Sequence, residues 1–173
     1  LRTDKTSLTP NELIRAALMM EVDLIWNGGI GTYVKATDES HAEVGDRASE
    51  PLRVNGKEVK AKIIGEGGNL GTTQRGRIEY ASNGGRINTD FIDNVGGVDC
   101  SDNEVNIKIA LNREMAEGRL SQDDRDALLV RMTDDVAELV LEDNRLQALA
   151  LSIAEKGGSA AVPSYVRLME TFE

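Results

Sequence analysis

Cysteine, histidine, proline and aromatic residues are all scarce in this 173-residue chain. It has one cysteine, one histidine and three prolines, and aromatic residues make up 3% of it. A single cysteine excludes an internal disulfide and is typical of a reducing compartment, so we expect a cytoplasmic protein. Because aromatic side chains are few, the core has to be built from Leu, Ile, Val and Ala. The hydrophobic fraction of 40% is sufficient for one ordinary globular domain.

Long hydrophobic runs and an excess of positive charge are also lacking. No apolar run approaches the ~20 residues that a helix needs to span a bilayer. The net charge is −10, whereas nucleic acids and anionic membranes attract basic surfaces. We therefore expect neither nucleic acid nor membrane as a partner. The chain has no recognisable signal peptide. It begins at Leu1 and not at a Met, which predicts a piece of a longer protein that works with the rest of its parent chain.

Short apolar segments alternate with helix signals in the first two thirds of the chain. Thr9, Pro10 and Glu12 form the pattern of a capped helix start, and Asn83-Gly84-Gly85 is typical of a helix end. The predicted elements are a helix from Thr9 to about Met20, strands at 22–26, 62–65 and 86–89, and a helix from Thr72 to about Ser82. This alternation favours βαβ units and a parallel sheet.

Two further patterns set the expected domain organisation. The Asn55-Gly56 dipeptide lies between two apolar stretches and predicts a β-hairpin inserted at about 50–64. Ser121 is followed by acids and then by apolar residues at helical spacing, which predicts a helix to about Asp143 and another to Lys156. A last helix is expected at 165–172. We accordingly expect an α/β domain at 1–111 and a helical segment at 112–173.

Asparagine and glycine follow each predicted strand of the sheet. Asn27-Gly28-Gly29 follows the first strand, Asn69 lies in the Gly-rich loop after the second, and Asn94 follows the third. Ligands of open α/β sheets bind beyond the carboxyl ends of the strands, so these loops are expected to converge on one crevice for a polar ligand. Ser101 is expected to cap the next helix, whose N-terminus would favour an anion.

Other candidate motifs point less clearly to a function. The loop from Gly65 to Gly71 lacks the dinucleotide fingerprint G-x-G-x-x-G, because Leu70 stands at the last glycine position. It is either a plain turn or a later βα loop whose Asn69 touches a cofactor sugar. His41 belongs to no recognised metal-ligand spacing, and Cys100 has no histidine nearby, so no metal site and no thiol nucleophile are expected.

Two segments carry a resemblance to a known family. Residues 64–73, IGEGGNLGTT, and 90–101, DFIDNVGGVDCS, resemble the corresponding loops of glutamate dehydrogenases, with the interval of seven from Asn94 to Ser101 kept. The phrases WNGGIGTYVK and GGRINTDFIDN resemble the large bacterial NAD-specific glutamate dehydrogenases. The resemblance extends over nearly the whole chain.

The resemblance implies the later half of a dinucleotide-binding domain, with a partial doubly wound (Rossmann-like) parallel sheet followed by an α-helical segment. NAD is then the cofactor, and L-glutamate is oxidised to 2-oxoglutarate and ammonia. Asn69 would lie near the nicotinamide ribose, Asn94 near the nicotinamide and the substrate, and Ser101 on the side-chain carboxylate of glutamate. Gly28 and Gly29 would contribute backbone close to the cofactor.

The same resemblance places the catalytic Lys and Asp and the Gly-rich fingerprint upstream of this chain. We therefore expect this piece to be inactive alone, and its parent to be a homo-oligomeric oxidoreductase. The chain departs from the smaller enzymes at Asn27-Gly28-Gly29, where they have Pro-Cys-Ala or Pro-Ala-Ala, and at Leu70-Gly71, where Gly-Pro is common. Two alternatives stay open, a non-catalytic helical interaction module at 112–173 and a different amino-acid dehydrogenase.

Overall fold

The computed structural model describes residues 5–172, which form two compact units, one up to Val95 and one from Gly96 onward. The helices and strands, in chain order, are α1 (Pro10–Leu18), β1 (Leu24–Asn27), β2 (Val34–Lys35), α2 (His41–Val44), β3 (Val54–Asn55), β4 (Ile63–Glu66), α3 (Gln74–Ser82), β5 (Arg86–Ile87), α4 (Asp90–Asp93), α5 (Val95–Ala116), α6 (Gln122–Gly157) and α7 (Val162–Phe172). Short 3₁₀ helices lie at Gly56–Glu58 and Gly158–Ala161.

A three-stranded parallel sheet is the centre of the first unit. Its strand order is β1-β4-β5, with Leu24 opposite Ile63 and Ile63 opposite Arg86. Helix α3 provides the crossover from β4 to β5, as expected of a βαβ unit. The predicted α/β fold class with a parallel sheet is therefore confirmed. Because all three strands run in the same direction, their carboxyl ends lie along one edge.

The helix starts follow the local capping chemistry closely. At α1, Thr9 accepts a hydrogen bond from the amide of Glu12, and the Glu12 carboxylate accepts one from the amide of Thr9. This reciprocal pair is the predicted capping box. The cap of α3 is Thr73 rather than Thr72, because the Thr73 hydroxyl accepts from the amide of Gly76 at 2.9 Å.

The predicted hairpin at Asn55-Gly56 is wrong. A tight hairpin turn of that type needs positive φ at both central residues, whereas Asn55 has a φ of −87°. Strand β3 pairs in parallel with β2, and Gly56 begins a 3₁₀ helix. A side chain at position 56 would lie 2.6 Å from the carbonyl oxygen of Gly76, so this glycine permits a close approach to α3.

The core of the first unit lies where α3 and the small β2–β3 sheet meet β4. Tyr80 of α3 is 1% exposed, and its hydroxyl donates to the carbonyl oxygen of Ala61 at 2.7 Å. The buried hydrophobic residues of this cluster are Val34, Val54, Val59, Ala61, Ile64 and Tyr80. Most are aliphatic, as the low aromatic content predicts.

The second unit is helical. Ser121 caps α6 as predicted, accepting from the amide of Asp124 at 3.2 Å. Helix α6 continues past Asp143, where two helices were expected, because neither glycine nor proline interrupts it before Gly157. Among residues 5–172, the helices all carry too much charge or too little length to qualify as membrane spans.

Candidate functional site

The loops that follow β1 and β4 are joined by backbone hydrogen bonds. The amides of Gly67 and Gly68 both donate to the carbonyl oxygen of Asn27, at 2.8 and 3.1 Å. A side chain added at Gly68 would overlap the carbonyl oxygen of Gly29, so the two chains pass at backbone distance. Gly28 and Gly29 are exposed on this surface. The first two predicted loops therefore meet at the carboxyl edge of the sheet.

The third loop reaches the same place through Asn94. Its side-chain nitrogen donates to the carbonyl oxygen of Gly68 at 2.7 Å and to Oδ1 of Asn69 at 2.5 Å. Asn94 is the C-cap of α4, the short helix after β5. The structure thus brings together Asn69 and Asn94, two residues selected from the sequence, and the predicted convergence of the three loops is confirmed.

Trp26 forms one wall of this surface. Its indole lies against the backbone of the β4 strand end, so that a side chain at either Gly65 or Gly67 would come within 2.7 Å of the ring. The ring is nevertheless 60% exposed. The edge of the sheet therefore presents a flat apolar face beside two neutral amides, a combination suited to a ligand with both ring and hydroxyl groups.

Sequence reasoning missed a buried ion pair behind this surface. Glu66, the last residue of β4, is 0% exposed, and its Oε1 is 2.5 Å from Nη2 of Arg77 on α3. The other carboxylate oxygen accepts from the amide of Gly71 at 2.9 Å. Arg77 also donates to the carbonyl oxygen of Asn88 at 2.8 Å. Removing one partner of such a buried pair typically costs about 3–5 kcal/mol, because the remaining charge is left unpaired.

Asp90 adds a second carboxylate to Arg77. Its Oδ1 is 3.9 Å from Nη2 of Arg77, and its Oδ2 accepts from the amide of Leu70 at 2.9 Å. Leu70 has a φ of +52°, a left-handed conformation that costs a residue with a Cβ about 1–2 kcal/mol. We call Glu66, Arg77 and Asp90 the Arg77 cluster. Its two carboxylates bind consecutive backbone amides, those of Leu70 and Gly71, directly after Asn69.

The available sequence signal for this cluster was Glu66 itself. A carboxylate at the end of the apolar strand Ile63-Ile64-Gly65 cannot stay buried without a cation or several hydrogen-bond donors. That argument demands a partner, yet it does not select Arg77 among the basic residues of the chain. The partner follows only when α3 is packed against β4.

Ser101 does not cap a helix, so that prediction is wrong. Helix α5 begins at Val95, directly after Asn94, and Ser101 lies in its second turn. The Ser101 side chain is exposed and donates to the carbonyl oxygen of Gly97 at 3.1 Å. Gly96 and Gly97 lie in the first turn of α5 and are helical.

His41 contacts another side chain of the first unit, and Cys100 lies at the surface. Nδ1 of His41 lies 2.9 Å from Nη1 of Arg53, a buried arginine that also donates to the carbonyl oxygen of Thr32 at 2.8 Å. Within the described part of the chain, no group of three or more His, Cys, Asp or Glu residues is arranged to hold a metal ion. Cys100 is exposed on α5.

An apolar cavity of about 230 Å³ lies in the first unit, between α1 and the sheet. Ile14 and Leu18 of α1, together with Ile25 and Ile64 of the strands, form much of its wall. None of its lining residues carries a charge, so it does not match the phosphates of a nucleotide. The polar surface at Asn69 and Asn94 is the better candidate for a cofactor.

Comparisons with known proteins agree with the motifs at this edge. A family model described as "Bacterial NAD-glutamate dehydrogenase, catalytic domain" matches residues 1–154. Three proteins named NAD-specific glutamate dehydrogenase are similar to this chain. The protein of Halomonas elongata is 54% identical to it over 100% of the chain, that of Pseudomonas aeruginosa 56% over 96%, and that of Mycobacterium tuberculosis 53% over 90%. The chain spans about a tenth of the length of each of these relatives. The family model covers most of the chain, including all three loops of the candidate site, and the chain therefore belongs to the bacterial NAD-glutamate dehydrogenase family.

Proposed function

We propose that the protein to which this chain belongs oxidatively deaminates L-glutamate to 2-oxoglutarate and ammonia with NAD. Family membership and the names of the three relatives support the reaction and the cofactor. The observation that carries the proposal for this chain is the contact between Asn69 and Asn94 at the carboxyl edge of the sheet. Two loops from different strands converge there, as in other sheets that bind a nucleotide.

The donor set at this edge fits the nicotinamide half of a dinucleotide. Asn69 and Asn94 are neutral and offer both donor and acceptor atoms, which match ribose hydroxyls and a carboxamide. Exposed Gly28 and Gly29 add backbone without side chains. When bound, NAD supplies the acceptor for the hydride that leaves the α-carbon of glutamate. We assign Asn69 to the ribose and Asn94 to the nicotinamide and the substrate.

Asn69, Asn94 and Ser101 are assigned the role of positioning the substrate and the cofactor. Holding the α-carbon of glutamate in line with the acceptor carbon converts an encounter in solution into a reaction within one complex. We assign Ser101 to the side-chain carboxylate of glutamate. None of these three side chains exchanges a proton readily near neutral pH, so the acid–base groups of the reaction belong to other parts of the whole protein.

The test uses the whole enzyme with Asn69→Ala and Asn94→Ala, and Asn83→Ala as a matched control. Asn83 is an exposed asparagine at the end of α3 whose amide donates to the carbonyl oxygen of Glu79 at 2.7 Å. Loss of one neutral hydrogen bond is worth about 0.5–1.5 kcal/mol, so each site variant should raise the Kd of NADH about two- to tenfold. The quenching or enhancement of NADH fluorescence on titration measures this Kd.

Equal Kd values for Asn69→Ala, Asn94→Ala and Asn83→Ala would contradict the assignment of the cofactor surface. The reaction itself is tested by the amino acid that the whole enzyme oxidises fastest with NAD. A different amino-acid dehydrogenase, the alternative open on sequence alone, predicts a higher kcat/KM for another amino acid than for glutamate.

We further propose that this 173-residue chain has no glutamate dehydrogenase activity alone, since the proposed positioning residues Asn69, Asn94 and Ser101 are not suited to proton transfer. The whole protein is proposed to be cytoplasmic and homo-oligomeric. The purified chain should reduce no NAD with glutamate at high protein concentration. If the chain shows activity and its specific activity does not fall through successive purification steps, the claim that essential groups lie elsewhere is refuted.

A further inference from the structure

The Arg77 cluster binds the backbone of the turn that carries Asn69. Asp90 accepts from the amide of Leu70 at 2.9 Å, and Glu66 accepts from the amide of Gly71 at 2.9 Å. Arg77 is 6% exposed and pairs with Glu66 at 2.5 Å, with Asp90 at 3.9 Å. The two amides that follow Asn69 are therefore both held by carboxylates that share one guanidinium.

The turn needs this support because of its backbone. Leu70 adopts a φ of +52°, which a residue with a Cβ rarely takes without compensating interactions. The Thr32 hydroxyl donates to the carbonyl oxygen of Leu70 at 2.7 Å, so both backbone polar groups of Leu70 are hydrogen-bonded. Asn69 precedes the strained residue directly, and its side chain reaches Asn94 at 2.5 Å. The orientation of the Asn69 amide thus depends on how Leu70 is held.

The cluster also fixes the third loop relative to the second. Arg77 donates through Nε to the carbonyl oxygen of Asn88, at the end of β5, at 2.8 Å. Asp90 begins α4, the short helix that Asn94 caps at its other end. A single guanidinium is therefore bonded to groups from both loops that carry the paired asparagines. A change in the cluster should displace Asn69 and Asn94 relative to each other.

From these contacts we infer that Glu66, Arg77 and Asp90 are positioning residues for the cofactor surface, acting through the left-handed turn at Leu70. This inference rests on the proposed function, because it assumes that Asn69 and Asn94 bind the nicotinamide half of NAD. The cluster acts mainly on the affinity for cofactor, because its carboxylates hold the turn that carries Asn69, the residue assigned to the cofactor alone. Its effect on glutamate is smaller, through Asn94.

The decisive variant is Asp90→Ala in the whole enzyme, because Asp90 is less deeply buried than Glu66 and its loss leaves the Glu66–Arg77 pair intact. The matched control is Asp38→Ala, which removes an exposed carboxylate paired with Arg75, another arginine of α3. We expect Asp90→Ala to raise the Kd of NADH about tenfold, equivalent to about 1.4 kcal/mol, with a clearly smaller rise in the KM for glutamate.

Two rescue variants separate positioning from a general loss of structure. Asp90→Asn keeps an oxygen that accepts from the Leu70 amide and should restore most of the affinity. Leu70→Gly in the Asp90→Ala background removes the Cβ that disfavours positive φ, and should restore part of it. Melting temperatures of all variants serve as the control for folding.

The outcomes distinguish this inference from the proposed function. If Asn69→Ala weakens NADH binding while Asp90→Ala behaves like Asp38→Ala, the inference is overturned and the proposed function stands. If neither Asn69→Ala nor Asp90→Ala changes NADH binding, the assignment of the cofactor surface fails and the inference fails with it. A lowered melting temperature with equal losses for cofactor and glutamate, and no rescue by Leu70→Gly, would assign the cluster a structural role and overturn the inference.

Discussion

Ser101→Ala in the whole enzyme tests the proposed contact with the side-chain carboxylate of glutamate. In the structure, the Ser101 hydroxyl donates to the carbonyl oxygen of Gly97 within helix α5. This bond runs from a side chain to the carbonyl four residues earlier, and such bonds add little to helix stability. The hydroxyl can therefore rotate towards a ligand at small cost. If it donates to a carboxylate, its removal should lower kcat/KM for glutamate.

The expected magnitude follows from the partners of the hydroxyl. A hydrogen bond to a charged group is worth roughly 1.5–3 kcal/mol, which corresponds to about a 10- to 150-fold loss in kcat/KM. On stability the structure gives a different expectation from the sequence. A helix cap would lose about 1 kcal/mol on replacement by alanine, but Ser101 lies inside α5, where alanine is the better helix former. The melting temperature should therefore stay the same or rise slightly.

The assay compares kcat/KM for glutamate, the Kd of NADH and the melting temperature of Ser101→Ala with those of Ser152→Ala. Ser152 is an exposed serine of α6 whose hydroxyl likewise donates to a carbonyl four residues earlier, that of Ala148, at 3.0 Å. Both variants lose the same helical bond, so a difference in glutamate kinetics reports on the substrate. Unchanged kcat/KM in Ser101→Ala would refute the contact, and a loss confined to NADH binding would place it on the cofactor instead.

Two further predictions concern packing and charge. Gly68→Ala should lower the stability of this chain by about 1–3 kcal/mol because its Cβ would overlap the carbonyl oxygen of Gly29, whereas Gly29→Ala, whose Cβ meets nothing within 4 Å, should leave the melting temperature unchanged. Burial and, secondarily, the carboxylate of Asp143 raise the pKa of Asp99 above its usual 3.8. Its folded-state pKa is the higher one, so stability falls as pH rises above 3.8 through that range, and Asp99→Asn should reduce this fall in thermal unfolding measured from pH 3 to 7. An identical pH profile for Asp99→Asn would contradict the raised pKa.

The features of the fold that the sequence predicted are those decided by neighbours in the chain. Thr9 and Glu12 satisfy each other's amides within one turn, and the Ser121 hydroxyl accepts from the amide of Asp124 at the start of α6. The strands β1 and β4 follow from short apolar runs that end at Asn or Gly. Such local patterns hold because no distant contact competes with them.

The wrong predictions involve residues whose surroundings come from elsewhere in the chain. Asn55-Gly56 has the composition of a hairpin turn, but β3 pairs with β2, and Gly56 lies against the backbone of α3. Ser101 follows two glycines that suggest a turn, yet α5 starts at Val95 and passes through both. In each case glycine permits more than one conformation, and packing selects among them.

The candidate site likewise has features that the sequence predicts and features that depend on the folded structure. Convergence of Asn27, Asn69 and Asn94 follows from strand direction alone, since the carboxyl ends of parallel strands share an edge. The contact between the Asn69 and Asn94 amides, and the left-handed φ of Leu70, require the actual path of each loop. The partner of Glu66 could not be chosen from the sequence, because Arg77 lies eleven positions further along the chain, beyond a complete strand-to-helix turn.

The distribution of charge at this edge has a consequence for the chemistry. The carboxylates of Glu66, Asp90 and Asp93 each accept from a backbone amide, those of Gly71, Leu70 and Glu66 in turn. Carboxylates used in this way maintain the loops and are poorly placed to exchange protons with a substrate. The groups at the surface of this edge are then the neutral amides of Asn69 and Asn94 and the indole of Trp26. These groups can bind and orient a ligand without changing charge. Precise loop geometry and proton transfer are therefore assigned to different residues, and variants at this edge should change ligand affinity without altering the pH dependence of kcat.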